Sequence, residues 1–249
     1  MIIDVPYIPL DEIEREANHL LRSFEAKYGT IQTLATPLDE IAENYLGLTC
    51  ESLDLGDPEI LGCLDIKNNL IQINNSLDPA LYPDQEGRYN FTLGHEIGHH
   101  ILHRMIAENL MQQTVLSNLN EEKSNVILCR TKDKRANMEW QADKFSACLL
   151  MPKKKVVGVF SRYFKDCSYF EIGRLTNHLR QDREFLKRNP CLSFPVTNEQ
   201  ILLYAFKALA DEFKVSMQAM VNRLKELNLL IESDYEHPSL FWQNRNLSV

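Results

Sequence analysis

The stretch "FTLGHEIGHHILH", beginning at Phe91, constrains this chain more than any other. Its apolar residues Phe91, Leu93, Ile97, Ile101 and Leu102 fall on several sides of a helix, the pattern of a centrally packed one running from about Arg88 to Ala107. His95 and His99 are four apart, so they point the same way, one turn above the other. Gly94 and Gly98 flank them. A glycine inside a helix costs up to ~1 kcal/mol against alanine, so two of them call for a packing reason.

Two imidazoles so placed can share one Zn²⁺ at about 2.0–2.1 Å each. Glu96 is turned about 100° from His95, too far round to be the natural third ligand. It is placed instead to take a proton from a water at the metal, the H-E-x-x-H arrangement of zinc peptidases. A catalytic zinc needs a third protein ligand and an open position. The segment "MEWQADKFSACLLMP" supplies one on a second helix, near Ala136 to Leu150, where Glu139 is the candidate and Asp143 follows one turn later. Ala142 and Ser146 are small, so this helix can approach the two glycines closely. Asp143 suits a supporting role, accepting the second ring N–H of a ligating histidine. Gln141 points well away and is expected to matter little to metal or activity. His100 and His103 read as surface or hydrogen-bonded core residues rather than ligands.

Ahead of the site, helical spacing from Asp11 (Ile13, Ala17, Leu20, Leu21, Phe24) predicts a first helix, stopped at Gly29. Thr36 is expected to cap a second, with Pro37 at its first position and Leu38, Ile41, Ala42, Tyr45 and Leu46 facing inward. "LTCESL", "ILGCLDI" and "LIQIN" read as short strands, the last two joined through "KNN". A polar connection containing "LSNLNEEKSN" separates the two site helices, and a poorly patterned stretch covers 166–195. Thr197 and Gln200 then match a capping box, opening a helix to about Phe213. Ser216 is expected to cap the next, whose inner face is Met217, Met220, Val221, Leu224 and Leu227.

"RYNFTLGHEIGHHILH", "CRTKDKRANMEWQADKFSACLLMP" and "LADEFKVSMQAMVNRLKELNLL" together resemble the ImmA/IrrE family of metallo-endopeptidases, over roughly residues 5 to 231. The resemblance implies a metal role for His95, His99 and Glu139 and a general-base role for Glu96. It also implies one Zn²⁺ per chain and a regulatory protein substrate, a helix-turn-helix transcriptional repressor. The chain departs from the family pattern in three places. Asn90 stands where Arg is frequent, with Arg88 two residues earlier. Gln141 stands where a second glutamate is frequent, and 167–195 is longer than in a minimal member.

The expected fold class is α+β. A zincin-like metallopeptidase domain, with a small antiparallel or mixed sheet beside the H-E-x-x-H helix, occupies 1–155. A helical region, 156–249, carries the helix-turn-helix-like pair at 197–231. An extended substrate is expected to pair with a sheet edge at Leu70–Asn74. Tyr82, Arg88, Tyr89 and His103 are equal candidates for an extra oxyanion donor.

Composition narrows the setting. The start lacks a basic-then-apolar signal, and nothing approaches the ~20 apolar residues of a spanning helix. The 6 cysteines are scattered with no C-x-x-C pair, so a cytoplasmic location is expected. Net charge is −8. Residues 1–120 hold 19 acidic against 6 basic side chains, 121–190 hold 9 against 16, and 191–249 hold 7 against 5. The basic runs "RTKDKR" and "PKKKVV" read either as segments that face the acidic ones or are simply solvated, or as a docking surface for an acidic partner or nucleic acid. The pair at 197–231 is charge-neutral, which argues against a nucleic-acid partner. The rival readings are a DNA- or protein-binding regulator and a zinc-holding pseudoenzyme. The sequence leaves the oligomeric state open.

Overall fold

The structure, a computed structural model, describes residues 5–116, 126–130, 136–164, 167–192 and 195–232. It is a helix-rich α+β chain that divides into two compact units, one of residues 1–152 with 212–216 and one of 153–211 with 217–249.

In the first unit, α1 (Leu10–Tyr28) buries Ile13, Ala17, Leu20, Leu21 and Phe24, the face its spacing predicts, and ends at Gly29 with φ +95°. The second helix, α2 (Leu38–Glu40), widens at once into a π-turn over Ile41–Tyr45, where Leu46 N–H donates to the Ile41 carbonyl. Thr36 does not cap it. Its hydroxyl donates instead to the Leu149 carbonyl at 2.9 Å, so a long-range bond replaces the local one.

A four-stranded mixed sheet follows, in the order β1 (Thr49–Leu53), β3 (Leu70–Asn74), β2 (Ile60–Asp65), β4 (Val126–Arg130). β1 runs parallel to β3, while β2 pairs antiparallel with both β3 and β4. The β2–β3 turn places Asn69 at φ +51°, the left-handed conformation expected of "KNN". Leu70–Asn74 is therefore an interior strand. Its backbone is already paired on both sides, so the expectation that a substrate adds there is wrong; the edges are β1 and β4. β4 lies just after "LSNLNEEKSN", where the sequence reading expected only a connection. Its apolar run "VILC" was too short to separate from a loop without a pairing partner.

The long helix α3 (Glu86–Leu116) continues beyond the expected Ala107 and packs on β2, β3 and α4 (Ala136–Leu150). α4 also packs on α1, so it is enclosed on two sides. The turn 212–216 docks at the start of α3: Asn90 Nδ2 donates to the Lys214 carbonyl at 2.8 Å, and Lys214 Nζ meets Glu86 Oε1 at 2.7 Å. A Cβ on Gly87 would lie 2.6 Å from Ser216 N, so the turn needs a glycine there. "RTKDKR" lies, but for Arg130, outside the described residues.

The second unit contains α5 (Lys153–Tyr163), β5 (Phe170–Glu171), α6 (Ile172–Gln181), α7 (Arg183–Arg188), α8 (Asn198–Ala205), most of α9 (Lys207–Phe213), α10 (Met217–Glu226) and β6 (Leu230–Ile231). β5 and β6 pair in parallel. The stretch read as poorly patterned holds α6 and α7. Ile172, Leu175, Thr176 and Leu179 make a helical stripe, and Asp182 caps α7 by accepting from Glu184 N and Phe185 N. The Thr197–Gln200 capping box forms as expected. The helix it opens breaks at Phe206 rather than running to Phe213. In α10, Met220, Val221 and Leu224 are buried, as is Arg223, paired with Glu226. Among the described residues no helix is long and apolar enough to cross a membrane.

Candidate metal centre

The glycines flanking the histidines have the packing reason the sequence called for. A Cβ on Gly94 would lie 2.6 Å from Ser146 Oγ, and one on Gly98 would lie 3.2 Å from the Ala142 backbone. Ser146 Oγ donates to the Phe91 carbonyl at 2.8 Å, which ties α4 to α3 at the same level. Small residues on both helices thus let two backbones approach closely enough for their side chains to meet at one point.

At that point stand His95 Nε2, His99 Nε2 and Glu139 Oε2. The two nitrogens are 2.9 Å apart, and the carboxylate oxygen lies 3.2 Å from the first and 3.6 Å from the second. Tetrahedral ligands at 2.0–2.1 Å from an ion stand about 3.3 Å from one another, so this triangle fits a zinc-sized cation. His95, His99 and Glu139 also form the only His, Cys, Asp or Glu group among the described residues that could hold a metal ion. The outward ring nitrogens are engaged elsewhere: His95 Nδ1 meets Asp143 Oδ1 at 2.8 Å, and His99 Nδ1 meets His103 Nδ1 at 3.0 Å. Both inward nitrogens are thereby aimed at the carboxylate.

Glu96 is fully buried, and neither of its carboxylate oxygens has a hydrogen-bond partner among the described residues. Burial, partly offset by His95 and reinforced by the Glu139 charge, pushes its pKa up to about 8. The sheet makes room for it: a Cβ on Gly62 of β2 would stand 2.8 Å from Glu96 Oε1. Burial alone would raise Glu139, but the two adjoining imidazoles, His95 and His99, outweigh it and hold that carboxyl well below its usual range. Burial lowers His99 to about 4, keeping the imidazole neutral, the form that can bind a metal.

Sequence reasoning missed Gly62 here and underrated Gln141. Gly62 had no local signal, because only strand pairing carries it to Glu96. His103 is buried and hydrogen-bonded one turn beyond His99, the second of the two settings expected of it. Gln141 was expected to point well away from Glu139 and to matter little; it does lie on that far side of α4, but the side is buried. Its Oε1 meets His103 Nε2 at 2.9 Å and its Nε2 donates to the Pro6 carbonyl at 2.8 Å, because the side of α4 facing away from Glu139 is covered as well. His100 is buried too, with Nδ1 lacking a partner among the described residues, so it is not a surface residue. Of the oxyanion candidates, His103 has both ring nitrogens engaged behind His99, and the Tyr89 hydroxyl donates to Asp39 at 2.7 Å.

No curated protein matches the chain. Among solved structures it is similar to a Mycobacterium tuberculosis transcriptional regulator, at 12% identity and a TM-score of 0.41, over 88% of this chain and 52% of that one. This chain thus spans about half the length of that protein. The family model for the IrrE N-terminal-like domain, Peptidase_M78, matches residues 26–189, a span that takes in both site helices, and the chain belongs to that metallopeptidase family.

Proposed function

We propose that this protein is a zinc-dependent endopeptidase that hydrolyses a peptide bond in one regulatory protein, a helix-turn-helix repressor. The observation that carries the reading is the convergence of His95 Nε2, His99 Nε2 and Glu139 Oε2 beside the buried carboxylate of Glu96, which has no hydrogen-bond partner among the described residues. In this reading residues 1–155 are the zincin-like catalytic domain and 156–249 the helical region, with the helix-turn-helix-like pair at 197–231. The repressor would be met in the cytoplasm.

His95, His99 and Glu139 would hold the ion. Zinc bound there would acidify a water and polarise the scissile carbonyl. Glu96 receives the water's proton and passes it to the leaving amine. In the metal-free chain burial pushes this carboxyl up to about 8, and the charge of a cation held by the neighbouring ligands would favour the carboxylate that a general base requires. Asp143 accepts from His95 Nδ1 and so turns Nε2 toward the metal position. The repressor as substrate rests on the resemblance of the site helices to the ImmA/IrrE family.

The DNA-binding alternative has less support. Arg223 of α10 is buried against Glu226, Lys207 pairs with Asp211, and Lys214 pairs with Glu86. Arg223 is thus withheld from solvent and each of the two lysines has an acidic neighbour, whereas DNA affinity depends on cations offered to phosphate.

The test is metal content and cleavage on the purified chain. Wild type should carry one zinc, lose cleavage to a chelator and recover it with zinc. Glu96→Gln should keep the zinc and lose cleavage by ~10²–10⁴-fold, the usual worth of a general base. Full activity after complete metal removal, or near-normal turnover in zinc-loaded Glu96→Gln, would end this reading.

A further inference from the structure

We propose that His103 and Gln141 form a buried relay, terminated by the Pro6 carbonyl, that fixes the ring of His99 for metal binding. The inference rests on the reading of His99 as a metal ligand. It concerns a part of the chain that neither the H-E-x-x-H pattern nor the ligand triad contains.

The direction of each bond follows from its far end. The Pro6 carbonyl can only accept, so the group 2.8 Å away must be the amide nitrogen of Gln141. That turns Gln141 Oε1, an acceptor, toward His103 Nε2 at 2.9 Å, and His103 must therefore carry its proton on Nε2. In a neutral imidazole the other nitrogen is then an acceptor. His103 Nδ1 faces His99 Nδ1 at 3.0 Å, so His99 must donate from Nδ1. Its Nε2 is left with a lone pair, pointing at His95 Nε2 and Glu139 Oε2. A carbonyl in the N-terminal segment thus determines, three hydrogen bonds away, which nitrogen of His99 meets the metal.

The relay is also sealed and anchored. His103 is 1% exposed and Gln141 0%, so water does not compete for these bonds. Val5 is buried, and Tyr7 stacks on Trp140 with ring centroids 5.8 Å apart, holding the segment that carries Pro6 against α4. His95 is supported differently, by Asp143, whose side chain is 54% exposed. One ligand therefore has a charged, water-accessible support and the other a neutral, buried one. A neutral relay suits the interior, where an unpaired carboxylate would be costly.

Three variants of the full chain test this: His103→Leu, Gln141→Leu and Gln141→Glu. The readouts are Zn²⁺ affinity by chelator competition, the visible spectrum of the Co²⁺ form, and the melting temperature of the metal-free protein. His103→Leu should weaken zinc binding ~10–100-fold, the usual effect of losing a ligand's hydrogen-bonded support, and should change the Co²⁺ bands. Gln141→Leu should shift both the same way by less. Gln141→Glu loses the donor to the Pro6 carbonyl but keeps an acceptor for His103 Nε2–H, so it should bring the Co²⁺ spectrum back toward wild type from that of Gln141→Leu. A purely packing role would track the metal-free melting temperature and would show no rescue by Glu. Wild-type affinity and spectrum in both leucine variants overturn the relay. If His103→Leu does not fold, equal zinc affinity and equal spectra for Gln141→Leu and Gln141→Glu overturn it. A wild-type chain that takes up no zinc overturns the metal reading itself, and the relay with it.

Discussion

The two units fill their interiors with opposite chemistry. On α3 and α4 the first unit buries His95, Glu96, His99, His103 and Gln141, all at 3% exposure or less. The second unit gathers Phe160, Phe164, Phe170 and Phe206 in tilted and edge-on contacts, beside a cavity of about 240 Å³. Burying aromatic rings stabilises a fold directly. Burying a carboxylate with no hydrogen-bond partner costs stability unless something else compensates. The contrast separates a region built for stability from one that accepts a stability cost for the chemistry it can do.

Removing a ligand should break the polar region most completely. Glu139→Ala leaves two histidines and water, so zinc should be absent after ordinary purification, as elemental analysis would show. Zinc retained in Glu139→Ala but missing from Asp143→Ala would exchange the two assigned roles.

Truncating the aromatic region should act on stability alone. Phe170→Ala is expected to cost ~3–5 kcal/mol in denaturant unfolding, as for a large buried ring. Its zinc content per folded chain should stay at the wild-type level. Lost zinc in a folded Phe170→Ala protein would show that the two interiors are not independent.

Asp143→Ala should have a smaller effect. His95 keeps its place on α3 but loses the partner at Nδ1, so zinc affinity should fall ~10–100-fold while the ion stays measurable. Competition with a chelator of known affinity checks this.

The smallest effect is a pH dependence of metal-free stability. The His99 pKa is lowered by burial to about 4, so between that value and the ordinary 6.5 the unfolded chain binds more protons, and stability falls as pH drops through this window. Glu96 behaves oppositely. Its pKa is raised to about 8, so from the ordinary 4.5 up to that value the folded chain holds the extra proton, and stability falls as pH rises. Above about pH 6.5 only the Glu96 effect of these two continues. Glu96→Gln cannot ionise, so its metal-free form should lose less stability than wild type between pH 6.5 and 8. Parallel unfolding curves for the two proteins across that range would remove the buried carboxylate from this account.

The sequence by itself determined what depends on neighbours along one helix or one turn. Three- and four-residue spacing placed His95 over His99, Glu139 over Asp143 and the inner face of α1. A single dipeptide of left-handed-tolerant asparagines marked the β2–β3 turn, and Thr197 with Gln200 marked the start of α8. Such features are short-range, and their energies are fixed within a few residues. Tertiary structure decided what depends on residues far apart in the chain. It moved the Thr36 hydroxyl from a cap to the Leu149 carbonyl, 113 positions on, where the end of α4 offered an unpaired acceptor. Pairing with β1 made Leu70–Asn74 an interior strand, and pairing with β2 turned "VILCR" into an edge. Gln141 faces inward because α4 has neighbours on two sides, which a one-sided helical wheel does not show. The closest case is Gly62 and Glu96, 34 positions apart, where the room for a buried carboxylate comes from the missing side chain on a neighbouring strand.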